Sequence, residues 1–322
     1  TEETKKEHKI IELPEFKPRN RRLKSWIGGY LNYVRNQEPP LIFQKWSGIS
    51  TIAGAIRNNV WIERGTNILY PNMYIVFIAE SGGRKSTAIE TAIYTFLTNI
   101  PYTNVLAGTT TAAGTIDAMR NPYAFEGINI DPKGCGYLLG SELTYAIHTG
   151  PERERMIRFL TNFYSGKPKE DDITRGKGRQ HLSKACLNLA ACTTPKGIKE
   201  VITLGTSGVG FVGRTLWIHN ENVLDREAWP VKTEEMIRLE DDLLHDLRII
   251  SNLKGKFIIE SEAKDFYKFW YEEMMPPLDT AGSEFEREYM SRKHDHVLKI
   301  AMVLCIDRSN DLVIKQPHIA HA

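Results

Sequence analysis

At residues 73–79 the chain reads Met, Tyr, Ile, Val, Phe, Ile, Ala without a polar break. A strand with one wet face would alternate apolar and polar positions, so this run predicts a strand buried on both faces. The same criterion, with gaps in polarity, predicts strands at 60–62, 68–70, 104–107, 136–139, 185–191 and 215–218. Apolar residues recurring every three to four positions predict helices at 26–34, 41–56, 87–97, 111–119 and 153–164. Pro39 and Pro40 separate the first two of these. Strands alternating with helices through the centre imply an α/β fold, with a parallel sheet covered by helices on both faces.

The pattern changes beyond residue 232. Segments 234–250, 262–274 and 284–307, and the end near His318, all carry helical spacing. The resulting organisation is a charged tail at 1–22, a helical segment at 23–70, an α/β core at 71–222 and a helical domain at 223–322. Within the tail and just after it, Lys17, Arg19, Arg21, Arg22 and Lys24 form a basic stretch, read as a solvated arm or as a contact for nucleic acid or a partner. No internal repeat or low-complexity tract interrupts the sequence.

Composition narrows the class. The chain has 322 residues, 41% hydrophobic and 25% charged, enough apolar material for a packed core. A net charge of +2 gives no global field toward nucleic acid, so any such site must be local. No apolar run approaches the roughly 20 residues that span a bilayer. The first residues are polar and do not form a signal peptide. The four cysteines lie in apolar segments without metal-binding spacing and read as buried thiols in a reducing, cytoplasmic compartment.

The candidate chemistry starts where the 73–79 strand ends. Ser81, Gly82, Gly83, Arg84, Lys85, Ser86 and Thr87 lead directly into the next helix. A glycine-rich turn between a buried strand and a helix is the setting of a nucleoside-triphosphate loop. Backbone N–H groups curl round the phosphates and the helix N-terminus adds its positive end. Lys85 would reach the β- and γ-phosphates, and the Ser86 hydroxyl would ligate Mg²⁺. The general pattern G-x-x-x-x-G-K-[ST] is met imperfectly: Ala79 takes the first glycine's place, and Arg84 the place of the glycine before the lysine. ATP is the expected nucleotide, although such loops read phosphates and not bases.

Three later segments complete a nucleotide site in the expected order. The strand at 136–139 runs into Ser141 and Glu142, where Glu142 would orient the attacking water on the magnesium side. The strand at 185–191 runs into Thr193 and Thr194, either of which would sense the γ-phosphate. Arg214 opens the last strand, where its fixed fork of donors suits a developing phosphoryl charge in a neighbouring subunit. His294 and His296 are two apart on a helix, so they face different directions and make a poor metal pair.

These segments, with Ile52 to Ala55, Tyr70 to Tyr74, Leu139 to Leu143, Gly210 to Arg214 and the run from Arg292 to Leu304, resemble a helicase-like phosphate-loop family associated with primases in phages and mobile elements. In that family arginine before the lysine is habitual. The motif order is also similar to that of ring-forming AAA+ and minichromosome-maintenance-type helicases. The resemblance implies a second sensor arginine, matched here by Arg292. It also implies a pore hairpin between the acidic and sensor strands, where this chain carries the basic stretch 165–184 with Lys167, Lys169, Arg175, Lys177 and Arg179. Read from its own composition, that stretch is a flexible basic loop able to follow a sugar–phosphate backbone.

The expectation is therefore an ATP-dependent DNA helicase or translocase, using ATP and Mg²⁺ and acting on DNA, with single-stranded DNA as the expected form, in replication of a phage or mobile element. It would work as a homo-oligomeric ring, a hexamer among the options, beside a primase or other replication protein and away from membranes. Ser141 stands where such sites usually carry an aspartate. This keeps an alternative open, an ATP-gated DNA-binding assembly factor with slow or absent hydrolysis. A small-molecule kinase is disfavoured by the long helical C-terminal part and the lack of a lid-like arginine cluster.

Overall fold

The computed structural model describes residues 20–120, 134–147, 150–166, 169–174, 178–183, 185–202, 210–221 and 227–322. The uninterrupted apolar run forms β3 (Tyr74–Ile78), with every residue buried. It lies inside a five-stranded, all-parallel sheet with β4 (Val105–Ala107), β5 (Cys135–Gly140), β8 (Cys186–Thr193) and β9 (Thr215–His219), in the order β4-β5-β8-β3-β9. The reading as an α/β fold with a parallel sheet flanked by helices is borne out.

Side-chain alternation divides the core. Ile75 and Phe77 of β3, with Tyr137, Leu139, Ala190, Cys192, Leu216 and Ile218, face one layer. That layer is built from α1 (Trp26–Tyr33), α2 (Leu41–Ile56), α3 (Lys85–Thr95), α8 (Glu234–Ser251) and α10 (Glu284–Arg308). Tyr74, Val76 and Ile78, with Leu138, Leu187, Leu189 and Ala191, face the other, built from α4 (Ala112–Arg120), α5 (Leu143–Ile147) and α6 (Gly150–Phe163). Removing a large apolar side chain of this kind from water contributes about 1.5–3 kcal/mol, so a strand buried on both faces has little freedom to shift register.

The helical segment before the sheet is part of the first layer. Phe43 of α2 stacks on Phe77 of β3 at 4.8 Å, and Trp26, Tyr30 and Tyr33 of α1 surround Phe96 after α3. Ser25 caps α1 by accepting from the Gly28 amide and donates to Asp307 of α10. β1 (Val60–Arg64) pairs antiparallel with β2 (Asn67–Leu69) and parallel with β10 (Gly255–Lys256), which joins this segment to the C-terminal part. β11 (Ile258–Ile259) and β12 (Val313–Ile314) pair beside α9 (Ser261–Phe269) and the terminal α11 (Gln316–His321).

The end of the basic stretch near residue 20 departs from the expectation of a solvated arm. Arg21 donates to Asn310 Oδ1 and to the carbonyls of Asp307 and Ser309. Arg22 pairs with Asp241 and Asp242, while the Arg22 and Leu23 amides donate to the buried Asp246 carboxylate. These residues tie the chain entry to α8 and α10, and carboxylates on those helices already neutralise the charge. Lys17 and Arg19 lie outside the described residues. So does part of the basic stretch at 165–184: Lys167, Arg175 and Lys177 are not described. The described part is not a loop. β6 (Lys169–Thr174) and β7 (Gly178–Ser183) form an antiparallel hairpin, with Glu170 opposite Leu182 and Ile173 opposite Arg179. Lys169 and Arg179 therefore stand on paired strands, and the scarcity of apolar positions concealed the pairing. All four cysteines are buried and free. Among the described residues, no helix is long and apolar enough to cross a membrane.

Candidate functional site

Because the five strands are parallel, their carboxyl ends share one edge. Ile78 of β3 stands opposite Thr193 of β8, and Gly140 of β5 opposite Ala191. The chain leaves β3 through α3 toward β4, on the far side of β8 and β5. It leaves β8 through α7 (Pro195–Ile202) toward β9, on the far side of β3. Adjacent strands whose connections run in opposite directions leave a crevice between their carboxyl ends, the usual ligand position in open α/β sheets. The packing agrees, since Ala88 and Ile89 of α3 join one core and Ile198 of α7 the other.

The β3–α3 loop wraps this crevice. Gly82 has φ +83°, which a side chain would resist. A Cβ on Gly83 would stand 2.7 Å from the Ala79 Cβ and 3.0 Å from the Glu80 carbonyl, so the loop closes only around a glycine. Arg84, the residue just before α3, is left-handed at φ +53°, ψ +24°. This conformation explains why the general motif carries glycine there, and why arginine is a departure. The Arg84 guanidinium is held at 2.5 Å by Glu38. Lys85 Nζ donates to the Ala79 and Glu80 carbonyls at 2.7 and 2.9 Å, which folds its ammonium over the loop. Ser86 and Thr87 form the first turn of α3, where unpaired amides concentrate positive potential.

Glu142 follows β5 at the same edge and opens α5, with its carbonyl accepting from the Tyr145 and Ala146 amides. The buried Cys192 thiol of β8 reports the surrounding charge. Burial pushes its pKa up to about 12, with Lys85 opposing and Glu142 and Glu90 adding to the rise. One ammonium and two carboxylates thus lie close enough to act on the same buried thiol near the carboxyl edge.

Thr193 and Thr194 separate clearly. Thr194 Oγ1 accepts from the Gly197 amide at 3.1 Å and serves the start of α7. Thr193 is fully buried, and its Oγ1 has no hydrogen-bond partner among the described residues. A side chain on Gly197 would come within 2.4 Å of that hydroxyl. An unpaired buried hydroxyl costs about 1–3 kcal/mol.

Arg214 and Arg292 are not in this crevice. Arg214 precedes β9 at the amino edge, separated from Lys85 by the length of β3, about 16 Å for five residues. Its Nη1 donates to the Gly210 carbonyl, while its Nε and that of Arg292 make no hydrogen bond among the described residues. Burial lowers the Arg214 pKa and the nearby Arg292 lowers it further, against Tyr164, Tyr74 and Glu288. Two guanidiniums are therefore held together on the rim opposite the loop. The paired strands β6 and β7 lie in the connection from α6 to the amino end of β8.

A buried polar cluster supports that rim, and the sequence reading did not assign it. Lys299 of α10 donates to the carbonyl and Oδ1 of Asn72, just before β3, and lies 4.1 Å from the centre of the Tyr164 ring. His296 is bonded to the Tyr164 hydroxyl at 3.1 Å and to the Gly213 carbonyl at 2.9 Å, so it is no metal ligand in this arrangement. His294 turns toward Asp295 and Arg64. Among the described residues no group of three potential ligands could hold a metal ion. The cluster fixes α10 against the turn that carries Arg214. A Cβ on Gly213 would stand 2.5 Å from the Glu288 carbonyl. Gly213→Ala is therefore expected to push α10 off this turn and lower stability by about 1–3 kcal/mol, measured by urea unfolding.

Comparison with protein-family models and with curated proteins gave no match.

Proposed function

We propose that this chain is an ATP-driven DNA translocase or helicase whose subunits share nucleotide sites around a ring. The observation that carries the reading is that Lys85, Glu142 and Thr193 follow or end three neighbouring parallel strands at one carboxyl edge, at the switch point of the sheet. In this reading the β3–α3 loop is a phosphate loop. Its tight glycine turn and the α3 amides cradle the β- and γ-phosphates, and Lys85 exchanges its loop carbonyls for phosphate oxygens. Glu142 accepts a hydrogen bond from the attacking water and aligns it with the γ-phosphorus. The Thr193 hydroxyl donates to the γ-phosphate. Ser86 and Glu142 are the residues to hold Mg²⁺, which when bound neutralises charge developing between the β- and γ-oxygens.

The placement of β8 between the loop strand and the acidic strand supports this assignment, because it brings the sensor residue directly beside the loop. The β6–β7 hairpin, with Lys169 and Arg179, is the proposed DNA contact, and Arg214 and Arg292, on the rim opposite the β3–α3 loop, are the proposed contribution to a neighbour's site. A second reading is favoured by Ser141: it offers a hydroxyl where a carboxylate would anchor the metal, which suits an ATP-gated assembly factor that turns over slowly.

Steady-state ATP hydrolysis with and without single-stranded DNA separates the two. The motor requires hydrolysis that rises with DNA and falls by at least about 100-fold in Lys85→Ala. Tight ATP binding that never turns over, with DNA present, would leave only the assembly factor.

A further inference from the structure

The loop departs from the general motif at Arg84, and that is where a distant residue meets it. Arg84 adopts a left-handed backbone, a conformation that disfavours every residue with a Cβ. It has no side-chain cap at the start of α3. Its side chain is instead fixed by Glu38, Nε to Oε2 at 2.5 Å. Glu38 lies in the connection between α1 and α2, immediately before Pro39 and Pro40, whose fixed φ angles limit how that connection can bend. α2 is anchored in turn, with Phe43 stacked on Phe77 of the strand that feeds the loop. The carboxylate is thus mounted on a rigid element, while the guanidinium stands on the loop. Glu38 is mostly covered, with 22% of its side chain exposed against 49% for Arg84, so the anchored partner is also the less solvated one.

We propose that Glu38 is a positioning residue for the β3–α3 loop: its ion pair with Arg84 holds the left-handed turn that a glycine would adopt unaided, and so aims the loop amides and Lys85 at a triphosphate. This rests on reading the loop as a phosphate site. It makes the helical segment before the sheet part of the nucleotide site, and it makes residues 38 and 84 a coupled pair. Arginine at 84 needs an acid at 38, whereas glycine at 84 does not.

The test is a double-mutant cycle on Mg-ATP affinity, measured by calorimetry on the full chain for the unmodified protein, Glu38→Gln, Arg84→Gly and the double variant. Glu38→Gln is expected to weaken binding about fivefold when residue 84 is arginine, and by less than about twofold when it is glycine. Equal weakening in both backgrounds, or none in either, overturns the proposal. Thermal unfolding of the same four proteins without nucleotide supplies an independent reading of the pair. If none of them binds Mg-ATP, the phosphate reading fails and the proposal falls with it, whether or not the unfolding midpoints show coupling between 38 and 84.

Discussion

Lys85→Ala and Arg214→Ala are each expected to abolish ATP turnover, and an equal mixture of the two inactive proteins is expected to recover about a quarter of the unmodified rate. The expectation follows from the sheet. Lys85 leaves the carboxyl end of β3, and Arg214 enters the amino end of β9, which pairs with β3 in parallel. A single chain cannot bring both to one phosphate. A head-to-tail contact between copies can, because it apposes one rim of a subunit to the opposite rim of the next. An arginine supplied in this way contributes about 10³–10⁵ in rate, so either substitution alone leaves almost nothing. In a random mixture, the working interfaces are those where an Arg214→Ala chain supplies Lys85 and a Lys85→Ala chain supplies Arg214. One interface in about four has that arrangement. Two other outcomes are informative. If the mixture stays inactive while both proteins still assemble, Arg214 does not act across an interface. If Arg214→Ala alone retains activity, the guanidinium pair on the rim serves only to pack α10. Arg292 gives a graded control, since it shares the rim and its Nε is likewise unpaired among the described residues. Its loss is expected to cost less than that of Arg214, which is tied directly to the turn before β9.

How far this site could be read from the chain depended on whether the information was local. β3 was legible because burial on both faces removes polar alternation, and the short β-branched and aromatic run ending at a glycine-rich turn favours a strand over a buried helix. The loop was legible because strand, glycines, Lys85 and helix are contiguous. The insertion of β8 beside β3 was not legible, since periodicity defines strands but not their neighbours. The difference between Thr193 and Thr194 came only from geometry: the Thr194 hydroxyl serves the Gly197 amide, whereas the Thr193 hydroxyl is buried beside Gly197 without a hydrogen-bond partner among the described residues. Glu38 carried no signal, because an acid before two prolines reads as an ordinary turn and its partner lies 46 positions further on, at Arg84. The hairpin at 169–183 was hidden by its own polarity, as strands without an apolar face leave no period-two trace. Lys299 and His296 were hidden for the opposite reason. In α10 they occupy positions that helical spacing assigns to the core, where a lysine and a histidine are ordinarily absent unless partners such as Asn72 and Tyr164 are supplied from elsewhere in the chain.

Those two buried groups set an expected pH dependence. His296 is held well below its ordinary range, at about 4, mainly by burial and with Lys299 adding to the effect, although the Gly213 carbonyl partly opposes the shift. The unfolded chain therefore binds more protons than the folded one between pH 6.5 and about 4, and stability falls as pH drops through that window, by about 3 kcal/mol when complete. Lys299 is lowered to about 7, again chiefly by burial, against the opposing fields of Cys186 and Asp295. Its folded pKa lies below its unfolded value, so stability rises with pH from about 7 toward 10.5, by about 5 kcal/mol if nothing else titrated. Buried thiols and tyrosines act the other way at the alkaline end: the hydrogen bond with Cys135 and then burial raise the Cys186 pKa, burial raises those of Cys305 and Tyr289, and the unfolded chain ionises first. The rise is therefore expected to show between pH 7 and about 9 and then to level off. Urea unfolding across these two windows measures both limbs. His296→Gln keeps a donor for the Gly213 carbonyl and an acceptor for the Tyr164 hydroxyl, and it should flatten the acid limb. Lys299→Met should flatten the neutral-to-alkaline limb. An acid limb unchanged in His296→Gln would assign the loss to groups other than His296, and Asp295 is not among them in this window. Burial raises the Asp295 pKa, but the hydrogen bond and charge of His294, with the charges of Arg64 and Lys299, together outweigh this and hold it at about 2, so its own contribution disappears only below pH 3.8. The same cluster holds α10 against the turn bearing Arg214, so a softened cluster should also loosen the rim that the mixing experiment tests. Recovery of activity in that mixture is accordingly expected to decline at acid pH in step with protonation of His296, and to resist that decline in His296→Gln.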